Sequence, residues 1–262
     1  MQAIRGVQGF PRAKFKGRPV PRTSDASYGR CAMHMQPSSS EKPTFVFRLV
    51  AWISRPLVRL AFRPRVGGLE QLPRGGFVLC ANHLSAFDPW ALSIPLYPRQ
   101  PRYLAKAELF VWPFRRLLAA GGLFPVQRGD RDSRAVRTAI DHAKAGRIVL
   151  VFPEGARRRK RILRPRRGAA RIALDAGVPL VPAAVRGTDS ALAFRRWRVA
   201  FGSPVPLDDL RSLPPRAAAE EATRRLWATV AALELQLESE SSRPPRTSLA
   251  TFPTTSDSGA RP

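Results

Sequence analysis

A chain of 262 residues is long enough for one well-buried domain with an appendage, and its hydrophobic fraction of 44% is that of an ordinary globular protein. The charge is not ordinary: 45 Lys and Arg against 19 Asp and Glu give a formal +26, which points to polyanions such as nucleic acid, anionic lipid or phosphorylated substrates. Two cysteines, Cys31 and Cys80, exclude a disulfide framework, and three scattered histidines add no metal-ligand spacing, so a reducing compartment and no bound metal are predicted.

In chain order, residues 1–43 are basic, contain Pro and Ser, and lack hydrophobic periodicity; they read as a disordered extension, with initiation at Met33 or Met35. From Thr44 the chain turns apolar in "TFVFRLVAWISRPLVRLAF". Arg48, Arg55 and Arg59 interrupt that run, and each would cost roughly 2.5–3.5 kcal/mol near a bilayer centre. On a helical wheel the three arginines share one face with Trp52, while Phe45, Leu49, Ile53 and Leu60 spread over the rest. The segment 44–66 therefore predicts an amphipathic helix lying in a membrane interface, interrupted or kinked near Pro56, with a helix packed on the domain as the alternative.

The stretch 67–238 alternates strand-like and helix-like runs. "GFVLCAN" (76–82), "LFPVQR" (123–128) and "RIVLVFP" (147–153) read as strands, and "DSRAVRTAIDHAKAG" reads as a helix that stops at Gly146. "GAARIALDAG" followed by "VPLVPAAVRG" repeats the order helix then strand. Near the end, Leu226, Val230, Leu233 and Leu237 form one stripe of a helix. This alternation predicts an α/β domain with a central, mostly parallel or mixed sheet flanked by helices. Residues 239–262, rich in Ser, Thr and Pro, read as a disordered tail.

Two stretches carry chemistry. "NHLSAFDP" (82–89) follows an apolar strand and ends where Asp88-Pro89 opens a helix, so His83 and Asp88 both fall at the strand's carboxyl edge. An Asp accepting the imidazole N–H would fix its tautomer and leave the other ring nitrogen to take a proton from a hydroxyl. A buried structural histidine is the alternative reading of the pair. Ser85 lacks a Gly-x-Ser-x-Gly elbow and is not expected to be a covalent nucleophile. The second stretch, "FPEGARRRKRILRPRRGAAR" (152–171), also starts at a strand end. Glu154-Gly155 allows a sharp turn, and nine basic residues follow between Arg157 and Arg171, offering forks for a phosphate. A solvated basic loop is the alternative there. A nucleic-acid binder would account for the charge, but no aromatic interleaving or recognised motif accompanies the run, and no nucleic-acid partner is expected.

Taken in order, "NHLSAFD", "KAELF" (106–110), "GLFPVQR" (122–128), "FPEGARR" (152–158) and "VPLVPAAVRG" (178–187) resemble the glycerolipid acyltransferase family, over about residues 67–205. The resemblance implies an O-acyltransferase acting on a lysophospholipid, with 1-acylglycerol-3-phosphate the expected acceptor and another lysolipid or a glycolipid the alternative. It implies His83 as general base with Asp88 as its partner, and Arg128, Glu154, Gly155 and Arg157 in acceptor binding. It further implies acyl-CoA or acyl-carrier protein as donor, no cofactor, and a peripheral or monotopic place at the cytoplasmic face of the cell membrane, on anionic lipid. Ala156, Arg158 and Gln127 stand where the family's pattern has two hydroxyl residues and an acid, and these departures bear on the headgroup.

Overall fold

The computed structural model describes residues 43–109, 114–126, 133–157 and 164–242; the expected extension up to residue 42, the tail beyond 242, and Gln127, Arg128 and Arg158 lie outside the described residues. The apolar runs form strands. In chain order these are β1 (Arg65–Gly67), β2 (Phe77–Ala81), β3 (Arg102–Lys106), β4 (Leu123–Val126), β5 (Ile148–Val151), β6 (Leu180–Arg186) and β7 (Arg198–Phe201). The helices are α1 (Phe45–Phe62), α2 (Asp88–Ser93), α3 (Phe114–Ala120), α4 (Ser133–Lys144), α5 (Gly168–Ala176) and α6 (Pro215–Ser242).

One seven-stranded sheet has the order β1-β7-β6-β2-β5-β3-β4. From β6 across to β4 every pairing is parallel; β7 runs antiparallel to β6, and β1 parallel to β7. The sheet is thus mixed. Its centre, β2, lies between β5 and β6. The chain leaves β2 through α2 toward β3 on one side, and leaves β5 through α5 to β6 on the other. Strand order reverses there, so a crevice opens beyond the carboxyl ends of β5, β2 and β6.

The alternation of side chains along β2 sends Phe77, Leu79 and Ala81 to one face and Val78 and Cys80 to the other. The first face is covered by Ala91, Leu92, Ile94 and Leu96 of the α2 region and by Val58 and Phe62 of α1. The second packs on Ala139 and Ala143 of α4, on Ala169, Ala170, Ile172 and Ala173 of α5, and on α6. The predicted stripe Leu226, Val230, Leu233 and Leu237 is fully buried on that side, worth roughly 1.5–3 kcal/mol per side chain before entropy is charged against it. Helix α6 runs four residues past the predicted boundary at Glu238, to Ser242. Arg186 of β6 meets Glu238 at 2.9 Å and Arg198 of β7 donates to Ser241 at 3.2 Å, so sheet contacts carry the helix into a Ser/Glu-rich stretch that looks like tail.

Helix α1 is continuous from Phe45 to Phe62, through Pro56. Pro56 is exposed, so the acceptor left by its missing N–H lies on the outward side and is not sealed in the core. Thr44 caps the helix, its hydroxyl accepting the Phe47 N–H at 3.2 Å and donating to the Ala120 carbonyl. At the far end Phe62 stacks on Trp197, with ring centroids 4.1 Å apart.

Candidate active site

Strand β2 ends in an unusual way. Asn82, fully buried, places its side-chain amide beside β6: the amide donates to the Val185 carbonyl at 2.9 Å and accepts the Val185 N–H at 2.8 Å. The side chain thereby stands in for the next peptide unit of the strand, while the main chain itself is free to leave the sheet. His83 is the first residue on that exit.

The His83 ring is held on two sides. Its Nδ1 lies 2.8 Å from Asp88 Oδ2, and its face stacks on Phe152, with centroids 4.1 Å apart and planes inclined by 20°. An ionised carboxylate only accepts, so Nδ1 carries the hydrogen, and in the neutral ring Nε2 is then the acceptor. The side chain keeps 18% of its exposure, whereas that of Asp88 has none. Aromatic contact also favours the cationic ring once it has taken a proton, typically by 0.5–2 kcal/mol.

Asp88 has no exposed side-chain surface. Burying a carboxylate this way is tolerable only if hydrogen bonds replace its water. Oδ2 accepts the backbone N–H of Leu84 at 2.6 Å and of Ser85 at 2.8 Å in addition to the imidazole, and Oδ1 accepts the hydroxyl of Thr188. The Ser85 hydroxyl accepts the Phe87 N–H at 3.3 Å, a local turn contact rather than a nucleophile's pairing with a base.

The neighbouring strand supplies the second motif. After β5 the chain turns at Phe152–Pro153–Glu154–Gly155, closed by the Gly155 N–H on the Phe152 carbonyl at 3.0 Å. Gly155 has φ +70°, and a Cβ there would fall 3.0 Å from the Arg166 guanidinium, so the turn both requires glycine and brings a cation over it. Glu154 is buried and Arg157 exposed. His83, Asp88, Glu154 and Gly155 are therefore gathered at the carboxyl ends of adjacent strands, with Arg157 two residues beyond the turn. Strand β4, which leads to Arg128, ends on the same edge of the sheet at Val126. Cys80, buried in β2 with its thiol pushed well up by desolvation, is no competitor as a nucleophile. Among the described residues, no group of three His, Cys, Asp or Glu side chains could hold a metal ion.

The arrangement is one that can take a proton from a hydroxyl beside a turn that carries Arg157 and Arg166. A family model described as Acyltransferase matches residues 63–186, the span from β1 to the end of β6. The 1-acyl-sn-glycerol-3-phosphate acyltransferase of Bacillus subtilis is 31% identical over 182 residues, covering 66% of this chain and 89% of that protein. The chain belongs to the acyltransferase family. The Streptococcus pneumoniae and Escherichia coli enzymes of the same name are 27% and 30% identical, and the acyltransferase spans 53% and 51% of their lengths. In fold it is similar to the 1-acyl-sn-glycerophosphate (LPA) acyltransferase PlsC of Thermotoga maritima, with a TM-score of 0.58, 23% identity, and coverage of 76% of this chain and 80% of that one.

Four residues around the candidate site of this acyltransferase carry no signal of that site in its sequence: Asn82, Phe152, Arg166 and Thr188. Asn82 and Phe152 lie inside the motifs, but an isolated Asn or Phe beside a strand carries no signal of its pairing. Thr188 falls one residue past the last motif, and the Gly187 that precedes it was the available sign of a turn. Gly187 has φ +87°, and a Cβ there would sit 2.4 Å from the Arg196 carbonyl oxygen.

Proposed function

We propose that this acyltransferase moves a fatty acyl group from a thioester donor, acyl-CoA or acyl-carrier protein, to the free hydroxyl of 1-acyl-sn-glycerol 3-phosphate, giving phosphatidic acid. The observation that carries the chemistry is the 2.8 Å contact between His83 Nδ1 and a fully buried Asp88, which leaves Nε2 of the neutral ring as the acceptor. The names of the curated relatives support the acceptor. In this reading Nε2 takes the acceptor's hydroxyl proton as its oxygen bonds to the thioester carbonyl carbon. The tetrahedral oxyanion then collapses, the C–S bond breaks, and the thiolate recovers the proton from the imidazolium. Ester and free thiol leave, and no acyl-enzyme is formed. A positioned base of this kind contributes typically 10²–10⁴-fold. Arg128, Glu154, Gly155 and Arg157 act in binding and placing the acceptor, the arginines through its phosphate.

The reaction is assigned to a membrane surface, with the chain peripheral or monotopic on the cytoplasmic face. Helix α1 supports this. Phe47, Ala51, Ser54 and Val58 face the domain, whereas Phe45, Leu49, Val50, Trp52, Ile53, Leu57 and Leu60 are turned outward, Phe45, Trp52 and Leu60 each more than 70% exposed. Arg48 and Arg59 are exposed along one border of that apolar face, and Arg55 instead covers the Tyr97 ring at 4.9 Å. Among the described residues no helix is long and apolar enough to cross a membrane. A helix lying flat accounts for both facts, with each Arg near an anionic surface adding up to about 1 kcal/mol.

Thiol release from a long-chain acyl-CoA, with 1-acylglycerol-3-phosphate present, tests the reaction. The expected result is transfer by the wild type that falls at least a hundredfold in a folded His83→Ala variant. Transfer only to other lysolipids would overturn the acceptor, the point on which Ala156, Arg158 and Gln127 bear, and equal turnover by His83→Ala would overturn the base. Trp52→Glu with Leu60→Glu is expected to release the protein from anionic vesicles; unchanged vesicle binding would refute the role of α1.

A further inference from the structure

We propose that Thr188 is a positioning residue for acyl transfer, acting through Asp88; the inference rests on the reading of His83 as the base. The two oxygens of Asp88 are used differently. The partners of Oδ2, the N–H groups of Leu84 and Ser85 and the ring of His83, all belong to the same short loop as Asp88 itself. They fix the carboxylate relative to the loop and would travel with it. The Thr188 hydroxyl on Oδ1 comes from the exit of β6, 100 residues along the chain, and Thr188 is fully buried. It ties the carboxylate to the central sheet.

Two consequences follow from one hydrogen bond. Because a carboxylate only accepts, the Thr188 hydroxyl must donate, and it gives the buried charge on Oδ1 a partner. It also stops the carboxylate from turning about its Cβ–Cγ bond, so that Oδ2 stays aimed at Nδ1 and Nε2 stays bare. The backbone delivers Thr188 there through the Gly187 turn, whose close approach to the Arg196 carbonyl leaves no room for a side chain. Asn82 anchors the other end of the loop to the same strand at Val185, three residues before Thr188. The His83–Asp88 loop is thus pinned at one end to β6 and at the other to the turn that follows it.

The test is Thr188→Val, close in shape but without the hydroxyl, against Thr188→Ser, which keeps it. In the thiol-release assay Thr188→Val is expected to lower kcat about 10- to 100-fold, the loss of one hydrogen bond to a charged group. The KM for donor and for acceptor should each stay within about threefold, and Thr188→Ser should recover most of kcat. In an Asp88→Asn background Thr188→Val should cost less than about threefold more, since the hydroxyl acts through the carboxylate. Histidine ¹⁵N spectra give a readout independent of turnover: the chain has three histidines, His34, His83 and His142, and the His83 ring should be protonated at Nδ1 in the wild type and lose that preference in the valine variant. If Thr188→Val does not fold, Thr188→Ala carries the same comparisons. A folded valine variant with kcat within threefold, or a loss that serine does not restore, or one that multiplies fully with Asp88→Asn, would overturn the inference. His83→Ala in the same assay separates the two readings. An active His83→Ala removes the base and Thr188's role with it; an inactive one beside an unimpaired Thr188→Val removes Thr188's role alone.

Discussion

Asn82→Ala should destabilise this protein through two backbone groups buried at the edge of its site. The amide of Asn82 satisfies both backbone groups of Val185, a residue with 1% of its surface exposed. Removing it orphans one buried N–H and one buried C=O, each costing about 1–3 kcal/mol. A water entering the gap would restore part of this, so about 2–5 kcal/mol is expected in all. For a chain of this size that is a drop of roughly 1–2 M in the urea midpoint with an unchanged slope. Asn82→Asp sharpens the comparison. A carboxylate still accepts the Val185 N–H but sets its other oxygen against the Val185 carbonyl, so its loss should equal or exceed that of alanine. Because His83 leaves the sheet at this point, turnover per folded molecule should fall as well, at least tenfold, through misplacement of the ring. A midpoint change equivalent to less than about 0.5 kcal/mol, with wild-type turnover, would refute the view that the amide is the strand's last rung.

On the proposed mechanism, Asp88→Asn keeps the shape of the His83–Asp88 pair but removes the charge that would stabilise the imidazolium, so a loss of about 10²–10³ in kcat with little change in either KM is expected in the thiol-release assay. Arg99 is buried, its pKa pushed down to about 10 by desolvation, and it donates to the carbonyls of Pro73, at 2.7 Å, and Gly75 while covering the Phe77 ring. Arg99→Ala, far from the site, should cost about 2–4 kcal/mol and lower Tm by roughly 5–15 °C, with turnover per folded molecule unaffected. Hydrogen bonds from Arg224, and then Arg225, hold the Glu221 carboxyl down at about 2. A depressed carboxyl stabilises the fold above its unfolded value near 4.5 and loses that contribution as pH falls toward 2. Glu221→Gln should therefore be up to about 1 kcal/mol less stable at pH 7, with the gap closing between pH 4.5 and 2 in urea titrations.

What was legible in the sequence, and what was not, divides along one physical line. Strands β2, β5 and β6 are central and buried on both faces, so they read as unbroken apolar runs. Strands β1, β3 and β7 each open on an arginine, at Arg65, Arg102 and Arg198, and span three to five residues, so nothing in their own composition separates them from loop. Their pairing partners make them strands. The same holds for α1, where the wheel groups Arg55 with Arg48 and Arg59, yet a tertiary contact with Tyr97 draws Arg55 aside.

The site follows that rule closely. His83 and Asp88 are five residues apart on one turn, and a short-range constraint of that kind is visible in a linear pattern. Phe152 and Thr188 are distant in the chain and reach the dyad from opposite sides, because β5 and β6 are the two neighbours of β2. Strand order is a property of how βαβ crossovers fold onto a sheet, and apolar periodicity does not encode it. The dyad can be found from sequence, while what holds it rigid depends on the order β6-β2-β5. A substitution that shifted β6 relative to β2 by one residue would leave every family motif intact and still move Thr188 away from Asp88. Motif matching alone would score such a protein as an enzyme, and the thiol-release assay would find it nearly inactive.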